Sequence, residues 1–255
     1  MRIYEVELNV IGDITTRRTI SLTTDKELNL GNIFRSDIEV EKHQLGLKVV
    51  STVFTENEDR AHKVALLFIG KMLDVLSIRT RKGLFITSED YKKVNQRRPV
   101  IAVVDKEEIL LSFKLSRRLN LEYTPILRAL NWYRKGLYTE DPFDKFLALW
   151  NSINVIASSY HNRGNERTRA GIINQIYDCF ITLWGADSNN WQYINGEEQW
   201  IDSNNRLRND IAHGLIHIEV DSINRVISRL QSLEQVAYGF IVEWAQRQQN
   251  VRIVD

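Results

Sequence analysis

An arginine, an asparagine and a histidine lie close together in RLRNDIAHG, residues 206–214. Asn209 and His213 are four residues apart, so a helix would place them on the same face. Arg208 lies five residues before His213, and its long side chain can reach the same patch. The apolar residues around them fall on the opposite side and are expected to face the core: Leu207, Ile211 and Leu215.

These residue types suit chemistry on a phosphodiester. Histidine takes or gives a proton near neutral pH, and a guanidinium stabilises the negative charge that grows on a phosphate in the transition state. In RNA the adjacent 2′-hydroxyl supplies the nucleophile, so the reaction requires neither a metal nor a protein nucleophile. The amide of Asn209 would hydrogen-bond the substrate or fix the histidine tautomer.

The same stretch allows other interpretations. HGLIH, residues 213–217, has two histidines at the spacing of a metal pair, with Glu219 nearby. Gly214 stands where a zinc protease needs its glutamate, and it is expected to end the helix. The sequence has no phosphate loop, no dinucleotide fingerprint and no local signature of a Ser/His/Asp or Cys/His site. A structural role for Arg208 and His213 in a polar network remains a further alternative.

The first half of the chain has the pattern of a small α+β domain. Segments rich in valine and isoleucine predict strands, and apolar residues at steps of three and four predict a helix from Asp59 to about Arg79. The predicted strands are 3–8, 47–54, 98–104 and 108–115. Two basic clusters, RTRKG (79–83) and KKVNQRR (92–98), are interpreted as solvated surface or as phosphate contacts.

Helical patterns begin near Leu121. Apolar residues recur at helical spacing in 141–160, after the segment HNRGNERTR, and in a long last helix that starts near Asp221 and includes Ile227 in its apolar stripe. Asp141 or Thr139 would cap the first of these helices, with Pro142 in its first turn. A shorter helix across 190–200 or just after it, and the helix with RLRNDIAHG, give four or five helices, the size of a bundle. All six tryptophans lie here, and most are expected in the core.

Composition fits a globular protein of 255 residues, with 43% hydrophobic and 26% charged residues. No stretch approaches the roughly 20 apolar residues of a membrane span. The single cysteine, Cys179, cannot form an internal disulfide, so we expect a cytoplasmic location. Residues 1–119 have 21 basic and 17 acidic residues and the remainder 13 and 16, so the net charge of +1 divides into +4 and −3. This asymmetry permits a local nucleic-acid contact.

The helical half resembles the HEPN superfamily, whose mark is an arginine, often followed by Asn, His or Asp, and a histidine four to six residues later. RNDIAHG, residues 208–214, matches the short-spacing form of this motif. DPFDKFLALWNSINVI, residues 141–156, is similar to the first long helix of the branch called ApeA-like or MauJ-like. The resemblance covers about residues 119–255, and we find no comparable motif in the first half.

The resemblance implies a helical bundle that dimerises so that two copies of the motif face each other. It also implies a metal-independent endoribonuclease in an antiviral defence or toxin–antitoxin setting, with Arg208 and His213 as catalytic residues and Asn209 in the supporting position. We therefore expect an RNA substrate, a homodimer, a regulatory protein partner and no cofactor. Other members bind RNA or protein without cutting, so a non-catalytic binding module is the alternative. Residues 1–118 would form an α+β domain that regulates or targets the bundle formed by residues 119–255.

Overall fold

The chain is divided into an N-terminal α+β unit and a C-terminal helical unit, in agreement with the expected fold class. A computed structural model describes residues 2–29, 32–87, 102–139, 141–191, 193–194, 196, 199–216 and 220–254. The two units are Met1–Arg118 and Leu119–Asp255, and the division falls within helix α2 (Lys106–Glu122). None of the described helices combines the length and the apolar character that a bilayer span requires.

An antiparallel sheet forms one layer of the N-terminal unit. The described strands are β1 (Arg2–Ile11), β2 (Ile14–Thr16), β3 (Ile20–Asn29), β4 (Asn32–His43), β5 (Gly46–Thr55), β6 (Phe85–Thr87) and β7 (Ala102–Val104). The main sheet has the order β3-β4-β5-β1-β6, while β2 and β7 pair in parallel as a second sheet. The predicted strands at 3–8 and 47–54 are thus confirmed as parts of β1 and β5, which pair along their whole length.

Helix α1 (Glu58–Thr80) packs against the inner face of this sheet. The side chain of Asn57 caps the helix by accepting a hydrogen bond of 2.9 Å from the amide of Arg60. Buried residues alternate along the strands and recur at helical spacing in α1. The face of the sheet and the face of α1 that contact each other are therefore both apolar. The core between them includes Leu8, Val10, Leu47, Val49, Ala61, Ala65, Ile69 and Met72. The helix predicted from Asp59 to about Arg79 is confirmed.

The strand predicted at 108–115 is wrong, because these residues lie in α2. Its buried residues recur at steps of three and four, which is the period of a helix and not of a strand: Ile109, Ser112, Phe113, Leu115, Ser116 and Leu119. The carboxylate of Asp105 also accepts a hydrogen bond of 2.8 Å from the amide of Glu108, in the first turn of α2. The segment 108–115 is short and rich in apolar residues, so its sequence fits the period of a strand as well as that of a helix. Of the strand predicted at 98–104, residues 102–104 form β7 and the rest lie outside the described residues.

Five α-helices lie wholly within the described part of the C-terminal unit, and four of them were predicted. They are α3 (Thr124–Tyr138), α4 (Pro142–Tyr160), α5 (Ile172–Trp184), α6 (Trp200–Ala212) and α7 (Val220–Gln249). Asp141 caps α4, since its carboxylate accepts hydrogen bonds of 2.9 Å from the amides of Phe143 and Asp144. The helix expected across 190–200 is replaced by a short 3₁₀-helix at Ser188–Asn190 and by the start of α6 at Trp200. Helix α3 was not predicted as a separate element.

Aromatic side chains fill the centre of the helical unit. Phe180 of α5 lies at ring-centroid distances of 5.4 Å from Trp191, 6.3 Å from Trp200 and 5.0 Å from Phe240 of α7. Four of the six tryptophans are buried, as expected: Trp150, Trp191, Trp200 and Trp244. Such rings each remove a large apolar surface from water, so this cluster contributes strongly to the stability of the unit.

We predict that Gly239→Ala destabilises the protein. A Cβ atom at Gly239 in α7 would overlap the ring of Tyr193, whose hydroxyl donates a hydrogen bond of 3.3 Å to Glu243. Moving the ring would cost about 1–3 kcal/mol of unfolding free energy, measured by urea denaturation. Gly70→Ala in α1 is the matched control, because the nearest atom to its new Cβ is 3.9 Å away. The control should be neutral or stabilising, and equal effects of the two substitutions would contradict the packing argument.

Candidate functional site

Trp200 fixes the position of α6, the helix that carries the motif. Its buried indole lies with its ring centroid 6.0 Å from that of Trp150 in α4. Its ring N–H donates a hydrogen bond of 2.9 Å to the hydroxyl of Ser232 in α7. The first turn of α6 is therefore held to two other helices, and Arg208 lies eight residues further along, or about 12 Å.

The end of α6 is a Schellman cap. Gly214 has a φ of 65°, the left-handed conformation that glycine adopts without strain. Its N–H donates to the carbonyl of Ile211 at 3.1 Å, and the N–H of Leu215 donates to the carbonyl of Asp210 at 2.8 Å. These two bonds are the pattern of this cap. Gly214 is thus explained by helix termination, and the cap leaves His213 exposed as the last residue before the turn.

Arg208 is half-buried and has no carboxylate partner among the described residues. Its Nη1 donates a hydrogen bond of 3.0 Å to Oδ1 of Asn209. Its Nε is buried and has no hydrogen-bond partner in the described part of the chain. A buried donor without a partner costs about 1–3 kcal/mol, so the hydrogen bond to Asn209 satisfies this guanidinium only in part. Its unused N–H groups are suited to an anionic ligand.

The structure places Asn209 beside Arg208 and not beside the histidine ring. The Asn209 side chain accepts from the guanidinium, while its backbone carbonyl accepts from the amide of His213 at 3.0 Å. Within the described residues the imidazole of His213 has no hydrogen-bond partner. Asn209 therefore orients Arg208, and the histidine ring is open to a ligand.

Of the three residues that were expected to face the core beside the motif, only one is buried. Leu207 is buried, but Ile211 is only half-buried and Leu215 is 68% exposed. The reason is the cap at Gly214, which turns Leu215 away from the helix face that it would occupy if α6 continued. In α7 the predicted core residue Ile227 is likewise 50% exposed, so two large apolar side chains near the motif in the chain face solvent.

Other candidate groups form no second site among the described residues. Of the metal pair considered at 213–217, His217 and the nearby Glu219 lie outside the described residues, and α6 ends before them. The described residues include no group of three or more potential metal ligands. Burial raises the pKa of the Cys179 thiol from 9.0 to about 12, so it is a packing residue and not a nucleophile.

The basic clusters of the N-terminal unit are not free phosphate sites where the structure describes them. In RTRKG, Arg79 forms an ion pair with Glu108 of α2, with an Nε–Oε1 distance of 2.5 Å, and its side chain is only 7% exposed. Arg81 is the C-terminal cap of α1. The second cluster, KKVNQRR (92–98), lies outside the described residues.

The outward face of the main sheet is acidic where its side chains are described. Lys48 forms an ion pair of 2.8 Å with Glu7. This hydrogen bond, with the nearby charges of Glu41 and Glu5, raises the pKa of Lys48 above its ordinary value. Five carboxylates alternate with buried residues on this face of β1 and β4: Glu5, Glu7, Asp37, Glu39 and Glu41. This face would repel a nucleic acid, although residues 1–119 carry a net charge of +4.

Comparison of the chain with family models, with curated proteins and with solved structures finds no match. The evidence for function is therefore the geometry of Arg208, Asn209 and His213 and the motif that they form.

We predict that Arg208→Met leaves the melting temperature unchanged or raises it. Methionine removes a buried unpaired donor and keeps the packing of the long side chain, so no stabilising polar contact is lost except the bond to Asn209. Leu207→Ala, one residue away, should destabilise by about 2–5 kcal/mol because Leu207 is buried. Thermal unfolding followed by circular dichroism compares the two variants. A loss of more than about 1 kcal/mol in Arg208→Met would instead indicate a structural arginine.

Proposed function

We propose that the protein is a metal-independent endoribonuclease of the HEPN type, acting in the cytoplasm in a defence or toxin–antitoxin setting. One observation carries the proposal: at the C-terminal end of α6, Arg208 has no acidic partner among the described residues, and the exposed ring of His213 has no hydrogen-bond partner among them. A structural polar network would be expected to pair these groups within the protein. Such groups at one helix end instead suit an anionic substrate.

The proposed reaction is a transesterification within the RNA chain. The 2′-oxygen attacks the adjacent phosphorus, its proton is removed, and the bond from phosphorus to the 5′-oxygen breaks as that oxygen receives a proton. His213 transfers protons, and Arg208 stabilises the extra negative charge on the phosphorane. Asn209 holds the guanidinium through the 3.0 Å hydrogen bond. The products are a 2′,3′-cyclic phosphate and a 5′-hydroxyl.

A second copy of the chain completes the site in this proposal. The reaction needs one group to remove a proton and one to supply it, and each motif has a single histidine. Leu215 and Ile227 are exposed on either side of the segment that joins α6 to α7, and a partner that covered them would remove apolar surface from water. The N-terminal unit would then regulate or target the nuclease, together with a regulatory protein partner.

We expect the purified protein to cleave a mixed RNA pool in the presence of EDTA and to leave DNA intact, because DNA has no 2′-hydroxyl. Arg208→Ala and His213→Ala should each lower the rate by on the order of 100-fold or more, and Asn209→Ala by less. Arg206→Ala is the matched control, since this arginine is exposed on the same helix and should not matter. End-group analysis of the products should show cyclic phosphates.

Two results would contradict the nuclease proposal. Cleavage that persists in His213→Ala would assign the activity to another group or to a contaminant. Binding of RNA or of a protein partner without cleavage would favour the non-catalytic binding module.

We expect light scattering at tens of micromolar to give twice the chain mass of 29.8 kDa. Leu215→Lys and Ile227→Lys should shift the protein to the monomer and lower its cleavage rate, because a charge replaces exposed apolar surface at the interface. Leu67→Lys is the control, since Leu67 is 66% exposed on α1 in the N-terminal unit. A monomeric mass for the unsubstituted chain would rule out the composite site.

A further inference from the structure

The loop between α4 and α5 displays three arginines that the motif does not use. We call residues 161–171 the arginine loop. Arg163, Arg167 and Arg169 are all exposed, and their guanidinium groups form no hydrogen bond or ion pair in the described part of the chain. The single acidic residue of the loop is Glu166. The loop is therefore a local concentration of unpaired positive charge.

The backbone of the arginine loop is fixed by Asp178 of α5. One carboxylate oxygen of Asp178 accepts a hydrogen bond of 2.8 Å from the amide of Asn162, and the other accepts one of 3.3 Å from the side chain of Asn165. Asn162 also accepts from the amide of Gly164 at 2.9 Å through its own side chain. The carboxylate of Asp178 is thus used to hold the loop and does not neutralise an arginine.

Thr168 anchors the second half of the loop, in the 3₁₀-helix Glu166–Ala170. It is buried, its hydroxyl lies 2.7 Å from the carbonyl of Asn165, and its own carbonyl accepts from the side chain of Gln175 at 3.2 Å. Arg167 and Arg169 flank this buried residue in the chain. The arginines are therefore displayed on an ordered backbone, so only their side chains lose freedom when a ligand binds.

We propose that the arginine loop binds the phosphate backbone of RNA as a second contact outside the cleavage site. The inference rests on the proposed ribonuclease function. Guanidinium groups suit phosphate because their N–H groups match its oxygens in pairs. The helical unit has a net charge of −3, so an RNA strand needs a local positive surface to approach it. The loop provides that surface.

One RNA strand can reach both the loop and the motif. Tyr160, at the start of the loop, lies ten residues after Trp150, or about 15 Å along α4. Trp150 packs on Trp200, which lies about 12 Å from Arg208 along α6. These steps place the loop within roughly 40 Å of Arg208, which about twelve nucleotides span at the stacked spacing of about 3.4 Å. A tetranucleotide has few phosphates, so one bound at the motif offers the loop fewer contacts than a long RNA does.

The test measures binding of a fluorescent 30-nucleotide mixed-sequence RNA to the full chain with His213→Ala, so that the probe stays intact. Adding R163Q, R167Q and R169Q should weaken binding by on the order of 100-fold at 0.1 M salt and reduce the slope of log affinity against log salt by about 2, the value for three lost contacts to single-stranded RNA. The matched control removes three exposed charges from the N-terminal unit by R17Q, R18Q and K114Q. It should change neither quantity by a comparable amount.

Cleavage by the chain with an intact His213 separates the two proposals. The three loop substitutions should reduce the preference, in kcat/KM, for the 30-nucleotide RNA over a tetranucleotide. If the protein cleaves RNA but the loop substitutions change neither binding nor this preference, the loop inference fails and the nuclease proposal stands. If the loop binds RNA and no cleavage occurs, the nuclease proposal fails and the loop inference stands. Loop-dependent binding of a polyglutamate peptide with no binding of RNA would overturn the RNA inference in favour of protein docking.

Discussion

The packing of Trp200 determines where the candidate site lies. Its ring is buried against Trp150, and its N–H group is satisfied by Ser232, so the first turn of α6 is fixed in both position and rotation. A helix is stiff over the three turns that follow, and the direction of Arg208 and His213 is set by this distant contact. Polar residues at the exposed end of α6 therefore owe their arrangement to an aromatic cluster that contains none of them.

The C-terminal end of α6 combines a fully hydrogen-bonded cap with an arginine whose Nε has no partner among the described residues. The Schellman cap uses the last carbonyls of α6, so Gly214 has a complete structural explanation. The buried Nε of Arg208 has none, because no described group accepts its proton. Proteins leave some polar groups unsatisfied at functional sites, where a ligand completes the set, and the Nε of Arg208 is one of several buried polar atoms without a partner in the described part of the chain. The arginines without a carboxylate partner among the described residues, Arg208 and those of the arginine loop, lie in a unit whose net charge is −3.

Long periodic segments were predictable because their burial pattern repeats over several turns. The apolar stripes of α1, α4 and α7 and the alternation in β1 and β5 all appear in the sequence and in the fold. The segment 108–115 was misassigned because eight apolar-rich residues fit either period, and only their packing, with Ile109 and Phe113 on one buried face, selects the helix. Strands β3 and β4 were missed because their polar residues hide the alternation.

The sequence by itself determined the types of residue at the site and their spacing, and hence the chemistry that Arg208 and His213 are suited to. It also determined the end of α6, since Gly214 follows the last helical residues. Tertiary structure decided the surroundings of the site: the first turn of α6 is held by Trp150 and Ser232, and the Nε of Arg208 is buried without a partner among the described residues. The physical reason is that hydrogen-bond partners and burial depend on residues distant in the chain, such as Trp150 and Ser232, whose approach no local pattern records.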